Sequence, residues 1–350
     1  MFCKNLKYYR LKSNLTKKQL AEKAKVSSMA ITNYENGNRM PNMEIINRLA
    51  QVLNVRISDF LAVRNENLIF KHGEFRKNSS LSQSQQEYVR ECVEEYFGRF
   101  MTIVEILGGD VLPDAPSCYV LPLTDDDEEN AQALREHLGF AAEGPIEDLI
   151  GKLENKGILV YPCDPGNTKF SGMNGFVNDR PFIVYNPTTH AERNRTTIGH
   201  ELAHLMFKWP EDMDEKEAED KATSISGAFL FPKNDAQREL GVRRSAVTPD
   251  MKNVAREYGI SMLLLVKRAE ISGIISDSEG RKFYIMAGQR GWRGSNSTEP
   301  SRIPLEKPTL FIQLVCRAIA EDEISIQRGA ELLNCPYQEL INMCSYLEVY

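Results

Sequence analysis

The sequence has 350 residues, 42% hydrophobic and 26% charged, which suits an ordinary globular chain of two or three domains. No apolar run approaches the roughly 20 residues that span a bilayer, and "MFCKNLKYYRLKSN" has no signal-peptide core, so a cytoplasmic location and no membrane partner are expected. Seven cysteines, at 3, 92, 118, 163, 316, 335 and 344, form no CxxC pair; this argues against a disulfide framework or a thiolate metal site and predicts unlinked thiols.

The net charge of −6 is unevenly spread. Residues 1 to 62 hold eleven Lys and Arg against four Asp and Glu, so the remainder carries about −13. A cationic module on an acidic body points to a polyanionic partner for the first 62 residues.

That first segment reads as short helices. Leu6, Tyr9 and Leu11 open the apolar pattern. Thr16 is an N-cap before a helix with Leu20, Ala21 and Ala24 inward. Val26 and Ser27 make a tight turn, and Ser28 to Asn36 form the next helix, with Ile31 and Tyr34 inward and Gly37 as its stop. After Pro41, Ile45, Ile46, Leu49 and Leu53 mark a further helix, and "ISDFL" closes the bundle. Two short helices across a tight turn make a helix-turn-helix; the bland alternative is a helical bundle for protein contacts. On "LTKKQLAEKAKVSSMAITNYENG" the segment resembles the Cro/repressor-type (XRE) helix-turn-helix family across nearly all 62 residues. The resemblance implies that the second helix enters the major groove of an operator. Ser28, Met29, Thr32 and Asn33 would then face base edges, with Lys17 and Arg39 near phosphates. Asn33 could pair twice with an adenine edge, while Met29 offers only apolar contact. One such domain binds weakly, so a homodimer on paired half-sites is expected.

"RNENLIFKHGEFRKNSSLSQSQQ" reads as a polar linker. "EYVRECVEEYFGRFMTIVEILGG" returns to helical periodicity, with Val89, Val93, Tyr96, Phe97, Phe100 and Ile103 inward, and suggests a spacer helix. The acidic run "TDDDEEN" reads as a solvated loop or helix start. Two helices and a strand follow in "AQALREHLGFAAEGPIEDLIGKLENKGILVYP", with His137 structural or exposed.

"PFIVYN" predicts a strand, and "ERNRTTIGHELAHLMF" the helix after it. His200 and His204 lie one turn apart on one face and can share an ion at about 2.0–2.1 Å. Glu201 falls about 100° around the helix, beside the ion and not among its ligands, as a general base requires. A zinc ion in such a site brings the pKa of its water to around 7. The next helix, "DMDEKEAEDKATSISGAFLFP", has an apolar stripe through Ala218, Ala222, Ile225 and Phe229, and it leaves both Glu215 and Glu219 open as third ligand.

"ERNRTTIGHELAHLMF" with "EDKATSISGAFLFP" resembles the ImmA/IrrE-type metallopeptidase family over roughly residues 115 to 275. The resemblance implies His200, His204 and Glu219 as zinc ligands and Glu201 as base. Thr196, Gly199 and Thr223 depart from the family's usual aromatic, alanine and asparagine. Gly199 inside a helix should cost about 1 kcal/mol relative to alanine. His190 reads as a loop residue.

"QRGWRGSNSTEPSRIPLEKPTLF" reads as loop, and the last residues as two or three short helices. "ISIQRGAELLNCPYQEL" has a helix-turn-helix rhythm without the basic excess, so packing or dimer contact is expected there. The expected fold is mainly α with a small β-sheet (α+β): a helical HTH bundle (1–63), linker and spacer helix (64–110), a zincin-like peptidase domain with its HExxH helix (111–278) and a small helical C-terminal region (279–350). The expected function is that of a DNA-binding transcriptional regulator with a zinc-dependent endopeptidase domain that cleaves a partner repressor or antitoxin. The alternative is an operator-binding regulator without proteolysis, its second domain a sensor or interaction module.

Overall fold

The computed structural model describes residues 1–62, 65, 68–72, 81–294 and 296–344. The fold is mainly helical with a small sheet, as the patterning predicts. In chain order the first elements are α1 (Phe2–Lys12), α2 (Lys17–Ala24), α3 (Ser28–Glu35), α4 (Met43–Leu53), α5 (Ile57–Leu61), β1 (Phe70–His72) and α6 (Gln83–Ile106). Next come β2 (Leu121–Pro122), α7 (Asp127–His137), α8 (Leu149–Glu154), β3 (Leu159–Pro162), β4 (Gly172–Val177), β5 (Arg180–Tyr185) and α9 (Ala191–Met206). Then follow β6 (Phe207–Lys208), α10 (Glu215–Leu230), α11 (Lys233–Leu240), α12 (Met251–Tyr258) and α13 (Met262–Ile271). The chain continues with α14 (Asp277–Gln289), α15 (Leu310–Ala320), α16 (Ile326–Leu333) and α17 (Tyr337–Cys344). Two compact units result: Met1–Leu68 with Ser80–Gly108 and Ala318–Tyr350, and Ile69–Ser79 with Gly109–Arg317.

In the first unit, α1 to α5 close over Phe2, Leu6, Leu20, Ala21, Ile31, Tyr34, Leu49 and Phe60, all buried. The helix starts are set locally. Thr16 and Gln19 form a capping box, Ser27 accepts the Ala30 N–H, and Asn42 accepts the Ile45 N–H. Beneath them lies a buried ion pair that the periodicity does not announce. Arg10 Nε and Nη2 donate to Glu35 Oε1 and Oε2 at 2.5 and 3.1 Å, and Nη1 donates to the Leu15 carbonyl. The helix expected as a spacer, α6, packs on α1, where Lys7 pairs with Glu87 and Glu91 at 2.7 and 3.0 Å. α16 packs on α6 in turn.

Several helix pairs share one turn, among them α4 and α5, where Asn54 is left-handed and the Val55 N–H returns to the Ala50 carbonyl. α2, α12 and α16 are each eight residues long and end on a left-handed residue, Lys25, Gly259 or Asn334. In each, the next N–H returns to an alanine carbonyl: Val26 to Ala21, Ile260 to Ala255, Cys335 to Ala330. The C-terminal segment read as a helix-turn-helix rhythm therefore has two short helices, α16 and α17, joined by this common turn, on an acidic segment.

In the second unit the sheet order is β1-β4-β5-β3, antiparallel except for β3 beside β5. Phe70–His72, inside the stretch read as linker, form β1 and pair with Val177–Gly175 of β4. The rest of that stretch, at 63, 64, 66, 67 and 73–80, lies outside the described residues. α9 packs against β4 and β5, and α10 against α9, around Ile183, Ile198, Leu202, Ile225 and Phe229. Cys3, Cys92, Cys118, Cys163 and Cys335 are free thiols, and Cys316 and Cys344 depart from the expectation of unlinked thiols throughout.

Glu154, only 4% exposed, accepts the Thr309 and Leu310 N–H groups at the start of α15. Burial pushes its carboxyl up to about 7 against the pull of those donors. An unfolded glutamate titrates at about 4.3. Between these values the folded chain keeps a proton that the unfolded chain has lost, so this contribution to stability is full below about 4.3 and is lost as pH rises towards 7. Urea unfolding at pH 5 and pH 8 should show the second unit more stable at pH 5, and Glu154→Gln should flatten the difference.

Candidate metal centre and nucleic-acid face

α9 is a 16-residue helix whose inward side carries Ile198, Leu202 and Leu205, all fully buried. The turn from His200 to His204 brings both imidazoles to one side. His204 Nε2 lies 3.1 Å from His200 Nε2. Glu219, from α10, places Oε2 3.6 Å from His200 Nε2 and Oε1 3.2 Å from His204 Nε2. Ligands at 2.0–2.1 Å on a tetrahedral ion are about 3.3 Å apart, a spacing at which these three side chains could hold a metal ion. They are the one group of three or more His, Cys, Asp or Glu with this spacing among the described residues. Of the two carboxylates left open by periodicity, Glu219 joins the histidines, while Glu215 opens α10 and stands outside the group.

Each histidine has a neighbour. Thr223 Oγ1 lies 3.1 Å from His200 Nδ1. A neutral His200 protonated on Nδ1 donates to that hydroxyl and keeps its Nε2 lone pair for the cluster. Thr223, a departure from the family pattern, thus supplies a partner for the ring. His204 lies against the Trp209 indole, ring centroids 5.0 Å apart and planes 33° apart. Glu201 is 3% exposed, and its Oε2 accepts a hydrogen bond from Asn174 Nδ2 at 2.8 Å. Neither Asn174 nor Trp209 was singled out by the sequence. The alternation of Gly172, Asn174 and Phe176 on one face of β4 was the available signal.

The close contact of α9 and α10 explains Gly199. A Cβ there would lie 2.6 Å from Ser226 Oγ, which itself donates to the Thr196 carbonyl at 2.8 Å. Propensity alone favours alanine by about 1 kcal/mol; packing reverses the sign. Gly199→Ala is expected to destabilise the second unit by about 1–3 kcal/mol, as overpacking does; a stabilising result in urea unfolding would refute this.

The residues before the motif fix the start of α9. Arg195, 3% exposed, donates to the Ile146 carbonyl at 2.5 Å and pairs with Glu306. Glu192 accepts the Arg302 N–H and the Ser301 hydroxyl at 2.6 and 2.9 Å. His190, expected in a loop, is the N-cap of α9, and its Nε2 meets the Ser297 carbonyl at 2.6 Å. The Pro/Ser-rich segment read as plain loop is therefore the seat of the helix. His137 contacts the Ser117 carbonyl at 2.8 Å and stands outside the cluster.

In the first unit, α3 exposes Ser28 and Met29, the latter 68% accessible, and leaves Thr32 and Asn33 half-buried. Thr32 donates its hydroxyl back to the Ser28 carbonyl at 3.1 Å. Arg39 is exposed, while Lys17 lies 3.6 Å from Glu35, so part of its field is spent on that carboxylate.

A basic helix-turn-helix bundle and a domain that sets an HExxH helix against an acidic one define a DNA-binding regulator with a metallopeptidase-like domain. Residues 6–60 match the helix-turn-helix family, and residues 153–270 match the IrrE N-terminal-like domain, so the chain is a fusion of the two. No curated protein matches it. No helix among the described residues is long and apolar enough to cross a membrane.

Proposed function

We propose that the chain is a cytoplasmic, homodimeric transcriptional regulator whose IrrE-like domain is a zinc-dependent endopeptidase acting on a partner repressor or antitoxin. The observation that carries this reading is the convergence of His200, His204 and Glu219 at ligand spacing, with buried Glu201 one residue along the same helix. Zinc held by the three side chains would supply Lewis acidity toward a water and a peptide carbonyl. Glu201 takes the proton that the attacking water releases and returns it to the amine that leaves, so atoms and charge balance. Thr223 and Trp209 hold the imidazoles, and Asn174 holds the carboxylate. In the other module, Ser28, Met29, Thr32 and Asn33 read bases, and Lys17 and Arg39 meet phosphates. Two copies on paired half-sites supply the affinity that one lacks.

The test is a comparison of cellular proteins after induction of wild type and of Glu201→Gln. A partner that disappears with wild type and persists with the variant supports the reading. Identical losses, or none, overturn it and favour a sensor without proteolysis. For the DNA-contact set, Asn33→Ala is expected to weaken operator binding by about 1–3 kcal/mol and relax specificity at one base pair. Footprinting and titration at fixed salt read both.

A further inference from the structure

β4 lies unusually close to α9. A Cβ on Gly172 would sit 2.6 Å from Thr197 Cγ2, 2.7 Å from the Val184 carbonyl oxygen and 3.4 Å from Glu201 Oε1, so only glycine fits there. Two residues along, on the same face, Asn174 is half-buried, while Met173 and Val177 on the opposite face are buried and apolar. The close approach made possible by Gly172 brings the Asn174 amide to 2.8 Å from Glu201 Oε2. Only the N–H end of an amide can meet an ionised carboxylate. A glutamate side chain has rotamer freedom that burial must remove, and a donor fixed on a central strand removes it.

We propose that Asn174 is a positioning residue that aims Glu201, an inference that rests on the metallopeptidase reading above. It acts through Glu201 and not through the metal ligands, none of which it touches among the hydrogen bonds and ion pairs described. Charge-assisted hydrogen bonds and outer-shell partners of metal sites typically contribute 10–100-fold. Asparagine at 174 therefore governs what Glu201 binds, and the affinity of the site for an ion is independent of it.

The test uses the full chain, Co²⁺ as spectroscopic metal and acetohydroxamate as probe. The probe chelates the metal and offers its remaining proton to the nearest carboxylate. Asn174→Ala is expected to bind Co²⁺ within threefold of wild type but acetohydroxamate at least tenfold more weakly. Glu201→Gln should show a comparable loss, and Asn174→Ala in the Glu201→Gln background should add none, since one interaction cannot be removed twice. Should the alanine variant fail to fold, Asn174→Asp keeps the shape and replaces the donor with a second carboxylate, and it carries the same expectation. Unchanged acetohydroxamate affinity in both variants, additive losses in the double variant, or parallel loss of Co²⁺ in a folded variant overturns the positioning role. Failure of wild type to bind Co²⁺ overturns the metallopeptidase reading itself, which separates the two failures.

Discussion

Replacing Glu201 by glutamine is expected to slow substrate cleavage by about 10²–10⁴-fold, the range a general base supplies, while metal content stays at the wild-type level. Glutamine has the same shape and can still accept the Asn174 N–H, so the 3% exposed pocket keeps its packing. What it loses is the ability to take a proton. Glu201 stands outside the group formed by His200, His204 and Glu219, so the ion should remain. Single-turnover cleavage of the partner identified by induction, with metal analysis on the same preparations, separates the roles. Joint loss of metal and rate would make Glu201 structural, and an unchanged rate would remove it from the chemistry.

Glu35→Ala is expected to destabilise the first unit by about 3–5 kcal/mol, the range for removing one partner of a buried ion pair. Arg10 and Glu35 side chains are 4% and 1% exposed and meet through two hydrogen bonds. Without the carboxylate, the guanidinium keeps only the Leu15 carbonyl as a described partner. A loss of that size is a large part of the 5–15 kcal/mol that holds an ordinary domain together, so operator binding should fail through unfolding. Replacing both residues with apolar side chains should recover much of the loss, because the desolvation of both charges then disappears. Urea unfolding of wild type, single and double variants measures this. A single variant as stable as wild type would show that the pair contributes nothing to the fold.

Helices α2, α3 and α4 were legible because their starts are written locally: Thr16, Ser27 and Asn42 each cap with their own side chain. The HExxH helix was legible because two histidines at i and i+4 share a face in any helix. Whatever depends on a second element was not legible. Periodicity left Glu215 and Glu219 equal, and only the packing of α10 on α9 places Glu219 against the histidines. Gly199 read as a penalty, since propensity does not see Ser226 across the helix interface. Asn174 looked like one polar residue in a short strand, and the approach of β4 to α9 gives it its partner. β1 is three residues long and owes its strand form to β4, so its own pattern could not reveal it. The Arg10–Glu35 pair hid in residues that would ordinarily be solvated charges.

The most direct test of the central claim is the metal itself. Zinc analysis and X-ray absorption of the purified full chain should give one zinc per chain in a shell of nitrogen and oxygen donors with two imidazoles, and His200→Ala/His204→Ala should lose it. A protein that retains no zinc, a shell containing sulfur, or a double variant that binds zinc as wild type does would contradict the account.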